Sequence, residues 1–287
     1  MDRLPTLFLC AGFIIVSASA APPPEPLVSK TWQRIQGQGS FTVSFDPDNL
    51  PYSCREGKLS GIEVELAHAL AKQLGLTARI DWLRTEHETS LRKLLERKCD
   101  LVMGLPIDPR LRDDDDLAAS RILYTRPYYR TGYLLFVRNN GPRIGRLDEL
   151  KGEPSSRLGT QAGTVADHLL KQRGYERKLF GSQEAALKAL ANRDIDFAYL
   201  WSNAAWLVRA SEKPAVQIVQ PYELEDWRDM AMAVRRGDEE FRTQLDKALA
   251  ELMQQKVIEK LLDRYGLPYY SPADAKAKPE PKDTAKP

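Results

Sequence analysis

The chain has 287 residues, with 42 Lys and Arg against 40 Asp and Glu, a formal net charge of +2 and 43% hydrophobic residues. Charges of both signs are mixed along it, so the one-sided basic face that nucleic acid requires is not expected. The length suffices for one large domain or two lobes, and beyond residue 20 no apolar stretch approaches the ~18 residues that cross a membrane.

The first twenty residues read as an export signal. Met1-Asp2-Arg3 is a short basic start, 4–16 is apolar, and Ala18-Ser19-Ala20 is a small-x-small cleavage site before Ala21. Cys10 follows Leu9 where a lipoprotein signal needs a small residue, so cleavage after Ala20 and a soluble periplasmic product are expected. Cys54 and Cys99 then remain; an oxidising compartment permits a disulfide between them, and two separate buried thiols are the other reading. Residues 21–26 are Pro-rich, and 271–287 hold Pro, Lys, Ala and acids without an aromatic, a composition that cannot bury enough surface to order itself. The boundaries expected are a leader over 21–37, a first lobe over 38–136, a second over 137–226, and a return to the first over 227–270.

In chain order, 41–45 reads as a strand. Residues 61–74 form a helix with Ile62, Leu66, Ala69, Leu70 and Leu74 on one face, 78–82 a strand, 88–98 a helix, and 101–105 and 133–137 strands. The alternation restarts with a strand at 157–161, a helix at 164–172, a strand at Phe180, a helix at 182–191 and a strand at 195–200. After Trp227 come a strand at 230–234 and a helical region over 238–265 closed by Gly266 and Pro268. Such β-α-β alternation predicts two α/β lobes, each a mostly parallel sheet flanked by helices, with crossings near 133–139 and 222–234.

Five stretches in order resemble family 3 of the bacterial periplasmic solute-binding proteins over 38–270: Gly61-Ile-Glu-Val-Glu-Leu-Ala-His-Ala-Leu-Ala, Cys99-Asp-Leu-Val-Met-Gly, Thr125-Arg-Pro-Tyr-Tyr-Arg-Thr-Gly-Tyr, Gly159-Thr-Gln-Ala-Gly-Thr and Ala233-Val-Arg-Arg-Gly-Asp. The resemblance implies the type II binding-protein fold, two lobes closing on a polar ligand through two hinge strands. Within the family, Cys99 to Pro106, the run from Tyr124 to Arg130, Tyr199-Leu-Trp201, Tyr265-Gly-Leu-Pro268 and Asp46-Pro-Asp-Asn-Leu-Pro-Tyr52 look like the accessory proteins of PQQ-dependent methanol and alcohol dehydrogenases. The Gly61 helix is closer to the importer pattern, and 108–122 is a longer acidic insertion.

The resemblance implies a ligand-binding cleft drawing on Asp46, Tyr52, Arg110, Arg112, Tyr128, Gln161, Gly163, Thr164, Trp201, Asn203 and Trp227. In the family's amino-acid binders an Arg after the third strand holds the ligand carboxylate; Arg110 and Arg112 straddle that position, and a solvated loop is the alternative for each. Gly163 and Thr164 mark a helix start where free N–H groups suit an anion, or where Thr164 simply caps the helix. Those binders also place an Asp where Trp201 stands, to pair with the ligand ammonium; an indole offers only cation–π contact, which argues against a zwitterionic amino acid. Tyr52, Tyr128, Tyr129, Trp201 and Trp227 could line the cleft as stacking faces, with one of Tyr128 and Tyr129 facing inward and the other outward.

No catalytic constellation is legible. His68, His87 and His168 are scattered, Asp113 to Asp116 lack the spacing of a calcium loop, and Gly37-x-Gly39 lacks a third glycine. Glu63 and Glu65, two apart on a helix, cannot converge on one substrate. A non-enzymatic protein without cofactor or metal is expected. Three functions follow, in order: an accessory protein to a periplasmic quinoprotein dehydrogenase; the binding component of an ABC importer for a small polar solute, partnered by its permease; and a dehydratase-like enzyme, which would need a cleft acid with a raised pKa.

Overall fold

The computed structural model describes residues 30–85, 88–107, 121–144, 146–154, 157–211, 214–219 and 225–272. The export segment and Cys10, Arg110 and Arg112, the acidic run at 113–116, His87, the expected crossing at Tyr222 and the tail from 273 lie outside the described residues.

A helix missed by periodicity opens the fold inside the stretch expected to be leader. In α1 (Lys30–Gln38) Trp32 and Ile35, three apart, are buried, and Trp32 stacks on Phe241 with ring centroids 5.8 Å apart. β1 (Ser40–Phe45) follows, then a small hairpin of β2 (Asp48–Asn49) and β3 (Ser53–Cys54). Helix α2 (Ile62–Gln73) buries Ile62, Leu66 and Leu70 and leads to β4 (Thr77–Trp82), parallel to β1 with Ser40 opposite Thr77. The next helix, α3 (Ser90–Leu95), is shorter than the 88–98 expected. Thr89 caps it by accepting the Arg92 N–H at 3.1 Å, and Arg97 at φ 59° ends it. β5 (Val102–Ile107) runs parallel to β1 through a bridge between Val43 and Leu101.

After β6 (Ile122–Tyr124), the long β7 (Tyr129–Arg138) crosses to the second lobe, extending beyond the five residues predicted at each end. That lobe is built from β8 (Leu158–Gln161), α4 (Val165–Gln172), β9 (Lys178–Phe180), α5 (Gln183–Ala191), β10 (Phe197–Trp201), α6 (Ala204–Ala210) and β11 (Val216–Ile218). Strands β9, β8 and β10 are parallel, as βαβ crossovers dictate, and β10 pairs antiparallel with β7. β12 (Glu225–Arg235) returns across the hinge, antiparallel to β7 and β5. The result is one eight-stranded sheet whose six-strand path is β5-β12-β7-β10-β8-β9, with β11 added on β7 and β6 on β12, and with β7 and β12 as the two strands shared by both lobes. Each lobe keeps its own core, one around Ile35, Phe41, Leu66, Phe241 and Leu262, the other around Leu134, Phe136, Leu158, Leu190 and Phe197.

The helical region read as continuous over 238–265 is two helices, α7 (Glu239–Gln254) and α8 (Val257–Arg264), separated by Lys256 at φ 57°. A side chain in that left-handed conformation costs about 1–2 kcal/mol, and the exposed Lys256–Glu259 pair returns little. Lys256→Gly should therefore stabilise the protein by about 0.5–1 kcal/mol after the extra chain entropy of glycine, read as a higher urea midpoint with unchanged slope.

Cys54 and Cys99 are free and buried, so the two-thiol reading replaces the disulfide. Cys54 sits on the β2–β3 hairpin with its Sγ donating to the Glu56 carbonyl at 3.1 Å, whereas Cys99 belongs to a separate small core with Leu94, Val102, Ile122 and Ala233. Burial pushes the Cys99 thiol up to about 12, which keeps it protonated and inert.

Candidate solute-binding cleft

Between the lobes lies a cavity of about 530 Å³. The first lobe supplies Phe45, Asp46, Tyr52, Glu63, Met103 and Gly104 to its wall; the hinge strands supply Tyr129, Tyr133, Asp226, Arg228 and Met230; the second lobe supplies Val165 and Trp201. Ser44, Asn49, Ser53 and Ser90 complete a wall that mixes aromatic and thioether surface with hydroxyls and charges, a composition suited to a polar small molecule.

Glu63 is the central charge. It is 2% exposed, at the start of α2, and both its carboxylate oxygens accept the Tyr128 hydroxyl at 2.8 Å, while Oε1 also accepts Tyr129 at 3.3 Å. The Gly104 N–H in turn donates to the Tyr128 oxygen at 2.9 Å, which orients that hydroxyl toward the carboxylate. Burial raises the Glu63 pKa from the ordinary 4.5 to about 7, the two hydroxyls pulling the other way. Burial also holds the hydroxyls of Tyr128 and Tyr129 well above 10 and that of Tyr52 at about 12, so all three stay protonated donors.

Tyr52 lines the cleft, its hydroxyl in contact with the side chains of Ser202 and Trp201 from the second lobe. Trp201 packs edge-on against Tyr133 with centroids 5.1 Å apart, and Tyr133 against Tyr199 at 5.3 Å. Asp226 is held by Arg173 at 2.9 and 2.5 Å and by the Tyr199 hydroxyl at 3.1 Å, so its charge is already compensated. Arg228 donates one N–H to the Trp227 carbonyl at 2.9 Å.

Of the residues expected from sequence, Asp46, Tyr52 and Trp201 line this cavity together. Tyr128 lies behind it, and the inward–outward expectation for Tyr128 and Tyr129 is corrected: both are buried, with rings 5.1 Å apart. The alternation rule fails because Tyr128 precedes β7 and is not on its pleat. Gln161, Gly163 and Thr164 lie off the wall, although Val165 beside them is on it. Thr164 accepts the Asp167 N–H at 3.3 Å, and the Gly163 N–H donates to the Asp167 carboxylate at 3.0 Å, so the chain's own acid occupies that helix start. Asn203 also lies off the wall. Trp227 turns away and carries the Arg130 guanidinium 3.4 Å above its ring, while Asp229 pairs with the same arginine.

Glu63 and Arg228 were missed, and both had a signal. Glu63 shares a helical stripe with Ala67 and Leu70, at i+4 and i+7, all buried, whereas Glu65 faces outward toward Arg264. Arg228 and Met230 are two apart on β12 and share the cleft face, so choosing Trp227 chose the wrong face. Among the described residues no group of His, Cys, Asp and Glu is arranged to hold a metal, and no helix is long and apolar enough to cross a membrane.

Two α/β lobes, two shared hinge strands and an interlobe cleft define a type II binding protein. The chain belongs to the bacterial extracellular solute-binding proteins, family 3, whose profile matches residues 41–268. It is 24% identical over 240 residues to the L-cystine-binding protein TcyJ of Escherichia coli K12, covering 81% of this chain and 84% of that protein. The subgroup resemblance is supported by Protein MoxJ of Methylorubrum extorquens, 32% identical over 154 residues, which are 53% of this chain and 42% of MoxJ. Among solved structures, the unliganded open L-cystine solute receptor of Neisseria gonorrhoeae superposes with a TM-score of 0.68 at 19% identity, covering 84% of this chain and 99% of that one.

Proposed function

We propose that this protein captures a small zwitterionic solute of amino-acid type in the periplasm, as the binding component of an importer. Arg228 receives the solute carboxylate, and Glu63 faces its ammonium from the first lobe. The observation that supports this is one cavity holding a buried carboxylate and an arginine between aromatic walls. A guanidinium suits a carboxylate, and a desolvated acid in a wall that also holds Tyr52, Tyr129 and Trp201 suits an ammonium through charge and cation–π contact. Trp201 stands where an acid would pair with a zwitterion's ammonium, and Glu63 supplies that charge from the opposite lobe. Relatives named as amino-acid-binding and L-cystine-binding fit the same class.

A thermal-shift panel of L-amino acids, including cystine, with the matching amines and carboxylic acids tests it. A cognate zwitterion at one hundred times its Kd should add about 2.7 kcal/mol of stability, and each single-charge analogue should give a much smaller shift. No shift with any zwitterion, or equal shifts with the bare amine, would contradict the reading. Solute released from the complex should be recovered unchanged; conversion would instead favour the dehydratase-like reading, for which Glu63 is the cleft acid. Arg228→Gln should weaken a carboxylate-bearing solute by about 1.5–3 kcal/mol, measured by calorimetry, while leaving the melting temperature of the free protein in place.

The second reading, attachment to a quinoprotein dehydrogenase, is favoured by the MoxJ similarity and the matching motifs. A pull-down from periplasm that returns a quinoprotein, and loses it with Trp201→Ala, would support it over the importer role.

A further inference from the structure

On the first lobe a second cavity, of about 470 Å³ and sharing no wall residue with the cleft, is walled by Lys30, Arg34, Arg97, Lys98 and Arg235, with Asp100 as its one carboxylate. Asp100 is already engaged. Its Oδ1 accepts Arg34 at 2.5 Å and Arg235 at 3.4 Å, and its Oδ2 accepts the Thr42 N–H at 3.0 Å. Among the described residues that leaves the charges of Lys30 and Arg97 uncompensated within the wall, and Lys98 pairs with the solvent-facing Glu96 at 2.8 Å.

Arg235 gives the site its fixed floor. It is 7% exposed, one guanidinium nitrogen donates to the carbonyls of Leu94 and Cys99 at 3.1 and 2.5 Å, and the other pairs with Asp238 at 2.9 Å. Its Nε is buried and has no acceptor among the described residues. A buried, charged donor left without an acceptor is a standing cost, and it adds to the positive charge beneath the cavity. The start of α1 points the same way: Lys30 and Thr31 are in the wall, and the first turn of this helix carries no acidic side chain. The dipole of a helix favours negative charge at its start.

We propose that this cavity binds a phosphate-sized oxyanion, free or as the phosphate group of a small phosphomonoester. Several cations around one engaged carboxylate match a divalent tetrahedral anion better than a single carboxylate. Arg97 and Lys98 would close over the anion, while Arg34 and the α1 start meet it from the other side.

Calorimetric titration of the full chain with inorganic phosphate, against potassium chloride at matched ionic strength, tests the proposal. One phosphate should bind per chain, and the double variant Arg97→Gly, Lys98→Gln should bind at least tenfold more weakly. Arg97 stands at φ 59°, so glycine there keeps the backbone path, and Lys30→Gln gives an independent second variant. Comparable binding of glycerol phosphate would assign the site to phosphomonoesters, and binding of inorganic phosphate alone to the free anion. Chloride giving the same heat, both variants binding like the native chain, or displacement of phosphate by a cleft solute would overturn the proposal.

Discussion

Gly61→Ala should lower the folding free energy by about 3–5 kcal/mol, the size seen when a rigid contact and a special backbone conformation are broken together. Gly61 precedes α2 at φ 103° and ψ 153°, a conformation L side chains rarely adopt. A Cβ there would lie 2.3 Å from the Tyr52 carbonyl oxygen and 2.5 Å from Ser53 N and Cα, main-chain atoms that cannot swing aside. The same point is tied from both sides: the Gly61 N–H donates to the Tyr265 hydroxyl at 2.8 Å, and the Glu63 N–H to the Tyr52 carbonyl at 2.9 Å. Any relief of the clash must separate the hairpin carrying Tyr52 from the helix carrying Glu63, so cleft binding should fall along with stability. Gly75→Ala is the control. It also has positive φ, 68°, but its Cβ would meet nothing within 4 Å, so about 1 kcal/mol is expected. Urea denaturation of the two variants separates them; equal, small losses would contradict the close packing at Gly61.

The second large effect is a pH dependence centred on Glu63. Its folded pKa of about 7 exceeds the ordinary 4.5, so between those values the folded state binds more protons than the unfolded chain. Stability from this group is therefore fully present below about pH 4.5 and is lost as pH rises to and through 7. The shift corresponds to roughly 3 kcal/mol at its full extent. Glu63→Gln keeps the shape and still offers an acceptor to Tyr128 and Tyr129, yet cannot ionise. The variant should show a flatter stability profile over pH 5 to 8 and surpass the native chain at pH 8. A native profile that rises through this window, or a variant with the same slope as the native chain, would place the Glu63 charge somewhere other than a buried wall.

Much of this architecture is legible in the sequence because burial on a parallel sheet leaves a strong periodic trace. The strands at 41–45 and 78–82 and the helix between them fall within a residue or two of β1, β4 and α2. What escaped is informative. α1 offers only two buried apolar side chains, Trp32 and Ile35, too few for a periodic signal. The two crossings are longer than the hydrophobic runs that revealed them, because main-chain pairing across the hinge continues through polar residues such as Arg130 and Arg228. At the cleft, aromatic residues were easier to nominate than charges. Asp46, Tyr52 and Trp201 sit on its wall, but the two charges that were missed there, Glu63 and Arg228, are set by helical phase and strand pleat relative to neighbours. Composition carries neither phase nor pleat.

Reception of a zwitterion by Glu63 and Arg228 in the interlobe cleft is tested most directly by the proton balance of binding. Calorimetry with the solute found in the panel should be run at pH 6, 7 and 8 in buffers of differing ionisation enthalpy. An ammonium docking on Glu63 must expel its proton, so with an apo pKa of about 7 roughly half a proton is released at pH 7 and affinity rises about tenfold from pH 6 to 8. Glu63→Gln should abolish both the release and the pH dependence. Tight binding with no proton release, unchanged from pH 6 to 8 and unaffected by Glu63→Gln, would contradict the claim.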